Sequence, residues 1–492
     1  MRQTPDDPRQ LEALDRELAR YSKIELATNY LSRPIMGAGL ALIFILVVGL
    51  SAFLAFGQTS HSVIVVIAAC LGAYMALNVG ANDVANNVGP AVGANVLTMG
   101  GAITIAIIFE CAGALVAGGD VVETIANGIL ATESVGSSSN FIWAMLAALL
   151  SAALWVNLAT WVGAPVSTTH SVVGAVMGAG IAAAGVDAVS WSTVGGIAAS
   201  WVISPVLGGG IAAFFLWFVK SRIVYQEDKI AAARKWVPVL VGTMAGAFVS
   251  YLTLKGLQKT FQIDLESSLA IGALVGVVVW AIMIPVIRRQ SAGLENRNKS
   301  LKILFSIPLM VSAALLCFAH GANDVANAVA PLAAIVHATQ LEGMSTSLQI
   351  PAWVMVIGAL GISFGLSLFG PKLIRMVGGQ ITKLNPIRAF CVAMSSAITV
   401  IFASSLGLPV SSTHIAVGGV FGVGFYREWE ADRRRRTARA VAPSNGAFAK
   451  EERHLRKLVR RSHFMTIIAA WVITVPAAAA ISAVIFLTIT AR

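Results

Sequence analysis

The sequence predicts an all-α integral membrane protein, a polytopic helical bundle of about 11–12 transmembrane helices in two inverted-topology repeats, with broken or re-entrant helices at the midplane. Three observations predict it. Of 492 residues, 57% are hydrophobic and 12% charged, against roughly 25% charged in soluble domains, so the apolar surface exceeds what one soluble core hides. Two motifs each occur twice, in the same order, at nearly one offset. Equivalent loops of the two halves differ in charge as if they faced opposite sides of a bilayer.

Stretches of roughly twenty apolar residues are long enough to cross a bilayer. Eleven are placed at 36–57, 61–80, 101–119, 141–163, 191–219, 236–256, 268–287, 303–319, 351–369, 389–407 and 463–490. Residues 1–35 lack the apolar core of a secretory signal and are expected to persist as a polar N-terminal arm, with a polar helix over 10–24. Cys70, Cys111, Cys317 and Cys391 lie in apolar stretches without CxxC spacing, which argues for packing rather than disulfides or zinc.

GANDVANNVGP at 80–90 returns as GANDVANAVAP at 321–331, and PVSTTH at 165–170 returns as PVSSTH at 409–414, with offsets of 241 and 244 residues. Such periodicity marks a duplication. Its units are 36–219 and 268–490, joined through a basic loop and linking helix in 220–267. The 120–140 loop has three acids and no basic residue, whereas its counterpart at 370–388 has Lys372, Arg375, Lys383 and Arg388 and no acid. Basic loops collect in the cytoplasm. That places 220–235, 288–302 and the loop at 427–461, with its run Arg433 to Arg436, inside, and 182–190 and 338–350 outside.

Four shorter stretches, 80–99, 164–181, 321–337 and 408–424, are rich in Gly, Asn, Ser, Thr or Pro and are expected to be the interrupted segments. In the first and third, Asp83 stands with Asn82 and Asn86, and Asp324 with Asn323 and Asn327. An ionised Asp in hydrocarbon costs roughly 2.5–3.5 kcal/mol and therefore needs a purpose. Spacing of i, i+3 puts Asp and Asn oxygens on one helical face, suiting sodium or a proton. A plain helix cap is the simpler reading of one copy; two copies in an inverted pair favour a cation site.

In the other two stretches a proline precedes hydroxyls: Ser167, Thr168 and Thr169, or Ser411, Ser412 and Thr413. Pro165 and Pro409 are expected to start helices, whose free N–H groups and positive dipole ends, with the hydroxyls, make an anion site without a fixed positive charge. The competing reading is that such hydroxyls bond back to the preceding turn. His170 and His414 end the runs and are secondary candidates. Glu110, alone in an apolar stretch, is expected to couple ions or to pair with a buried donor.

At these motifs the chain resembles the inorganic phosphate transporter family, sodium/phosphate or proton/phosphate symporters with duplicated GANDVAN-type and PVSxTH-type elements. The resemblance spans 61–490. It implies cation-coupled symport by alternating access, with phosphate among Ser167, Thr168, Thr169, Ser411, Ser412 and Thr413, and sodium, where sodium is the coupling ion, on Asp83, Asn86, Asp324 and Asn327. IFECAG at 108–113 matches the family through Glu110; the acid that some members carry before the second PVSxTH element is missing, its place being Ala393.

Sulfate, another tetrahedral anion, is the nearest alternative substrate. A channel would draw its pore rings from a symmetric oligomer, whereas this pseudo-symmetry is internal. An enzyme is not expected, since nucleophile elbow, HExxH and P-loop are all missing. The expected partners are phosphate, sodium or a proton, and the lipid bilayer, with a homodimer as the candidate assembly. No cofactor and no nucleic acid are expected; the location expected is the plasma membrane, the inner membrane of a bacterium.

Overall fold

Within a bilayer every backbone polar group must find its partner inside the protein, which leaves helices as the economical way for a chain this apolar to cross. The computed structural model describes residues 36–57, 61–130, 137–162, 166–257, 263–340, 350–380, 385–441 and 461–491. The polar arm at 1–35, Pro165 and Lys383 fall outside these. Among the described residues the structure is helical, and its one β contact is an isolated bridge between Leu130 and Val189.

The first half holds α1 (Met36–Phe56), α2 (Ser62–Gly93), α3 (Met99–Ala117), α4 (Gly119–Asn127), α5 (Ser138–Val162), α6 (Thr168–Ala184) and α7 (Trp191–Val219). The linking helix is α8 (Lys229–Leu252), which ends in a wide turn at Thr253–Leu257. The second half holds α9 (Leu265–Gln290), α10 (Asn298–Leu304), α11 (Ser306–Gln340), α12 (Ala352–Gln380), α13 (Pro386–Ser405), α14 (Ser412–Val441) and α15 (Arg461–Thr490). Eleven of these are long and apolar enough to span, one for each stretch expected from sequence. The chain is a multi-pass membrane protein.

Packing repeats when the halves are exchanged. Helix α2 packs on α12, and its counterpart α11 packs on α3; α6 packs on α15, and α14 on α7; α5 contacts α6 as α13 contacts α14. Each half therefore completes the other. Small residues permit this: a Cβ on Gly178 of α6 would fall 2.1 Å from the Ala479 carbonyl oxygen of α15, and one on Gly422 of α14 would fall 2.0 Å from that of Gly209 in α7. Burial grades outward from α11, whose span is 89% buried, to α9, at 17%.

Several sequence expectations need correction. The GANDVAN segments are not broken: α2 and α11 run continuously through them, about 48 Å and 52 Å long by helical rise. Their interruptions are confined to Pro90 and Pro331, each of which removes one helical hydrogen bond. Real breaks occur at the PVSxTH elements. There, Pro409 does not start a helix; α14 begins three residues later at Ser412, and the Pro409 carbonyl instead accepts from Trp201 Nε1 at 3.0 Å.

Several expected loops are partly helical: 120–140 contains most of α4, 220–235 the start of α8, 288–302 the end of α9 and most of α10, 370–388 the end of α12, and 427–461 begins as the last turns of α14. Burial of Val121, Val122 and Ile125 explains the first. The last is held by polar contacts with the end of α7: Lys220 pairs with Glu430, Tyr225 Oη donates to Glu430 Oε1 at 2.6 Å, and Arg434 stacks 4.1 Å from the Tyr225 ring centroid. Helix α14 runs to 441, and the rest of the expected loop to 460 lies outside the described residues.

Candidate functional site

Asp83 lies on α2, about three turns before its end, and Asp324 on α11, more than four turns before its end; each is only 1% exposed. Opposite them are the first turns of α6 and α14, which begin with the hydroxyl runs. Thr168 Oγ1 donates to Asp83 Oδ2 at 3.0 Å, and the equivalent Ser412 Oγ donates to Asp324 Oδ2 at 2.8 Å. The halves also cross. Thr413 Oγ1 donates to Asp83 Oδ1 at 3.0 Å, while Thr169 shares its proton between the Val410 carbonyl, 3.0 Å away, and Asp324 Oδ1 at 3.4 Å.

The amides complete the lattice with the same symmetry. Asn86 Nδ2 donates to Thr413 Oγ1 at 2.8 Å, and Asn327 Nδ2 to Thr169 Oγ1 at 3.1 Å, as well as to Thr168 and Asp324. Asn82 Nδ2 holds the Val166 carbonyl at 2.9 Å, and Asn323 Nδ2 holds the Leu408 carbonyl at 3.2 Å, which pins the chain entering each hydroxyl-bearing helix. Residues read as two separate sites, one for an anion and one for a cation, thus form a single buried cluster.

Ser167 and Ser411 act locally as caps: their oxygens accept the N–H groups of His170 and His414 at 3.2 Å and 3.3 Å. The two imidazoles meet each other, with centroids 4.5 Å apart, and His170 also packs on Trp201 at 3.8 Å.

Sequence reasoning missed His320. Its Nε2 lies 2.9 Å from Asp324 Oδ2 and 3.9 Å from Asp83 Oδ2, and its Nδ1 lies 3.3 Å from Glu110 Oε1; all four groups are buried. Neither ring nitrogen makes an aligned hydrogen bond in this arrangement. Ligand atoms of Asp83, His320 and Asp324 lie within 4.8 Å of one another, close enough to share a cation. The signal was present: a histidine four residues before Asp324 on an apolar helix, where the first repeat has Val79.

Glu110 does pair with a buried donor, taking the Asn87 amide at 2.8 Å. Close helix contacts show which residue mirrors it. A Cβ on Gly321 would fall 2.1 Å from the Glu110 carbonyl oxygen, and one on Gly80, the same motif position, would fall 2.0 Å from that of Ile362. Glu110 and Ile362 are therefore counterparts, as are His320 and Val79. One helix interface carries an acid and a histidine; its pseudo-symmetric twin carries two aliphatic side chains.

The chain is similar in sequence and in fold to known proteins. The sequence profile of the phosphate transporter family matches residues 79–482. A Helicobacter pylori protein named "Putative phosphate permease" is 44% identical over 96% of this chain and 98% of its own length. A Pyrococcus abyssi protein of the same description is 34% identical, over 85% of this chain and 95% of its own. Among solved structures, one titled "The sodium-dependent phosphate transporter" aligns with a TM-score of 0.78 at 33% identity, covering 87% of this chain and 99% of that one.

Proposed function

This chain belongs to the phosphate transporter family, and from that premise we propose that it carries inorganic phosphate across the membrane in symport with a cation, by alternating access, at the Asp83–Asp324 cluster. The observation that carries the reading is that both buried carboxylates take hydroxyl hydrogen bonds from the two halves at once.

Coupling follows from electrostatics. An anion 4 Å from one ionised carboxylate is repelled by about 4 kcal/mol at an effective permittivity near 20, and here there are two carboxylates. Phosphate cannot sit among Thr168, Thr169, Ser412 and Thr413 unless cations neutralise Asp83 and Asp324. A cation on the carboxylate oxygens also frees the hydroxyl protons, which then turn toward the anion while their lone pairs stay on the cation. Each ligand prepares the place of the other.

Sodium suits the donor set. Asn327 Oδ1 is a buried oxygen without a hydrogen-bond partner, on a side chain bonded to the Asp324 carboxylate, and hard oxygen ligands of this kind satisfy an alkali cation. The sodium-dependent transporter of similar fold supports the same ion. A proton is the other candidate, and His320 is the group placed to hold it. Inverted repeats around a central site supply the two access routes.

The test is radiolabelled phosphate uptake into proteoliposomes under an inward sodium gradient, an inward proton gradient or neither, with excess sulfate as competitor. Gradient-dependent uptake that sulfate leaves intact is the expected result and identifies the ion. Full inhibition by sulfate makes sulfate the substrate; uptake indifferent to both gradients removes the symport reading.

A further inference from the structure

The turn between α13 and α14 carries the second hydroxyl run, and it is held from two sides. On the inner side Asn323, next to Asp324, donates to Ser404 Oγ at 2.9 Å and to the Leu408 carbonyl, and accepts the Val410 N–H at 3.3 Å. On the outer side stands Lys255, from the wide turn that ends the linking helix α8. Its ammonium pairs with Asp120 at the start of α4 and donates to the Ser405 carbonyl at 3.2 Å.

Both contacts are where helix ends want them. Helix α13 closes with a Schellman pattern: Leu408 N–H bonds the Ala403 carbonyl, Gly407 N–H bonds that of Ser404, and Gly407 adopts the left-handed conformation at φ 67°. The Ser405 carbonyl lies at the negative end of α13 and takes a cation instead. Asp120 lies in the first turn of α4, where negative charge is favoured. Gly407 also lies against α4, since a Cβ there would approach Thr124 Oγ1 to 3.1 Å and the Asp120 carbonyl oxygen to 3.3 Å. One lysine thus ties together the linking helix, the first half and the substrate-bearing turn of the second. Helix α8 belongs to neither repeat, so the duplication provides no twin for Lys255.

We infer that the Lys255–Asp120 pair is a clamp that closes one access route to the central site, and that each transport cycle must break and remake it. The inference rests on the transport reading above. Asp120 and Lys255 are 40% and 26% exposed, so the clamp is half-wet, an ion pair able to open on the timescale of a carrier. Lys255 is a positioning residue: it reaches the substrate only through the 405–411 turn.

The experiment cross-links Lys255→Cys with Asp120→Cys in proteoliposomes, using a short reducible bis-thiosulfonate, and follows uptake of whichever anion the wild type carries, phosphate or sulfate. The single-cysteine variants control for Cys70, Cys111, Cys317 and Cys391. Expected are a loss of uptake of at least tenfold on cross-linking and recovery to within twofold on reduction. Cross-linked protein that transports at its uncross-linked rate overturns the clamp while leaving the symport reading intact. Wild type that carries neither anion removes both. If the double-cysteine variant fails to insert, Lys255→Gln decides: loss of the clamp lowers KM and Vmax together, because the route is held open, and the Lys255→Asp/Asp120→Lys exchange restores them. Unchanged KM in Lys255→Gln overturns the proposal.

Discussion

His170 and His414 meet edge to face, ring centroids 4.5 Å apart and planes at 71°, and they are the same residue of two motifs 244 positions apart in sequence. A residue can touch its own repeat counterpart only at the pseudo-two-fold axis. The axis therefore passes between the tips of α6 and α14, beside the carboxylate cluster. Truncating either ring leaves a cavity against the other and against Trp201. His170→Ala and His414→Ala should each destabilise by about 2–5 kcal/mol, as other large buried side chains do. Because they share one cavity, the double variant should lose less than the sum. Thermal unfolding in detergent, followed by tryptophan fluorescence, checks this.

The crossed hydrogen bond from Thr413 to Asp83 predicts a hydroxyl requirement. Thr413→Val removes the donor to Asp83 and the acceptor of Asn86 in one step. A hydrogen bond to a charged group contributes about 1.5–3 kcal/mol, so uptake should fall roughly tenfold to a hundredfold. Thr413→Ser keeps the hydroxyl and should retain most activity. Equal loss in both variants would show that the methyl group, not the hydroxyl, matters.

Asp83→Asn and Asp324→Asn should each abolish coupled uptake while leaving folded protein in the membrane, because the amide keeps the shape and removes the charge that recruits the cation. Initial rates against sodium or proton gradient measure it. Wild-type rates in both variants would sink the cation site.

The unequal interfaces predict a non-additive pair. Glu110→Ile leaves His320 without one of its acids, and His320→Val leaves three buried acids, Glu110, Asp83 and Asp324, without the histidine between them. Removing one partner of a buried pair costs about 3–5 kcal/mol, whereas an apolar replacement of both is often neutral. Glu110→Ile with His320→Val recreates the Ile362 and Val79 interface and should fold more stably than either single variant, yet lack coupled transport. Monodispersity after heating and uptake rates together test it; a double variant less stable than both singles would refute the equivalence.

Glu430, outside the spans, predicts a pH effect. Burial pushes its carboxyl up, but hydrogen bonds from Lys220 and Tyr225 and the charges of Lys220 and Arg434 outweigh this and hold it below the usual range. A depressed carboxylate stabilises the folded state at pH values above its unfolded pKa, and that contribution fades as pH falls through the lower folded value. Glu430→Gln should therefore be less stable than wild type near pH 7, by about 1 kcal/mol for an ion pair that solvent still reaches. The difference should close in acid below the folded value. A constant difference across the titration would assign the effect to packing.

Much of the site was legible before folding was considered. Duplication picked out Asp83, Asp324 and both hydroxyl runs because chance does not repeat polar motifs inside apolar sequence. His320 escaped since it occurs once, and a search for repeats passes over what the repeats do not share. Helix ends were misplaced at the GANDVAN elements for a local reason: glycine and asparagine read as breakers in isolation, whereas Gly80 and Gly321 serve here for close helix contact.

The sequence by itself determined that this chain lives in lipid, that it is built twice over, and which polar groups it keeps at a price in hydrocarbon, because composition, period and charge placement are additive along the chain. Only the tertiary structure decided that Thr413 serves Asp83 and Thr169 reaches Asp324, that Glu110 and His320 stand where the twin interface has Ile362 and Val79, and that Lys255 ties down the 405–411 turn. Those are relations between residues more than a hundred positions apart, set by which helices interleave. No local pattern encodes them.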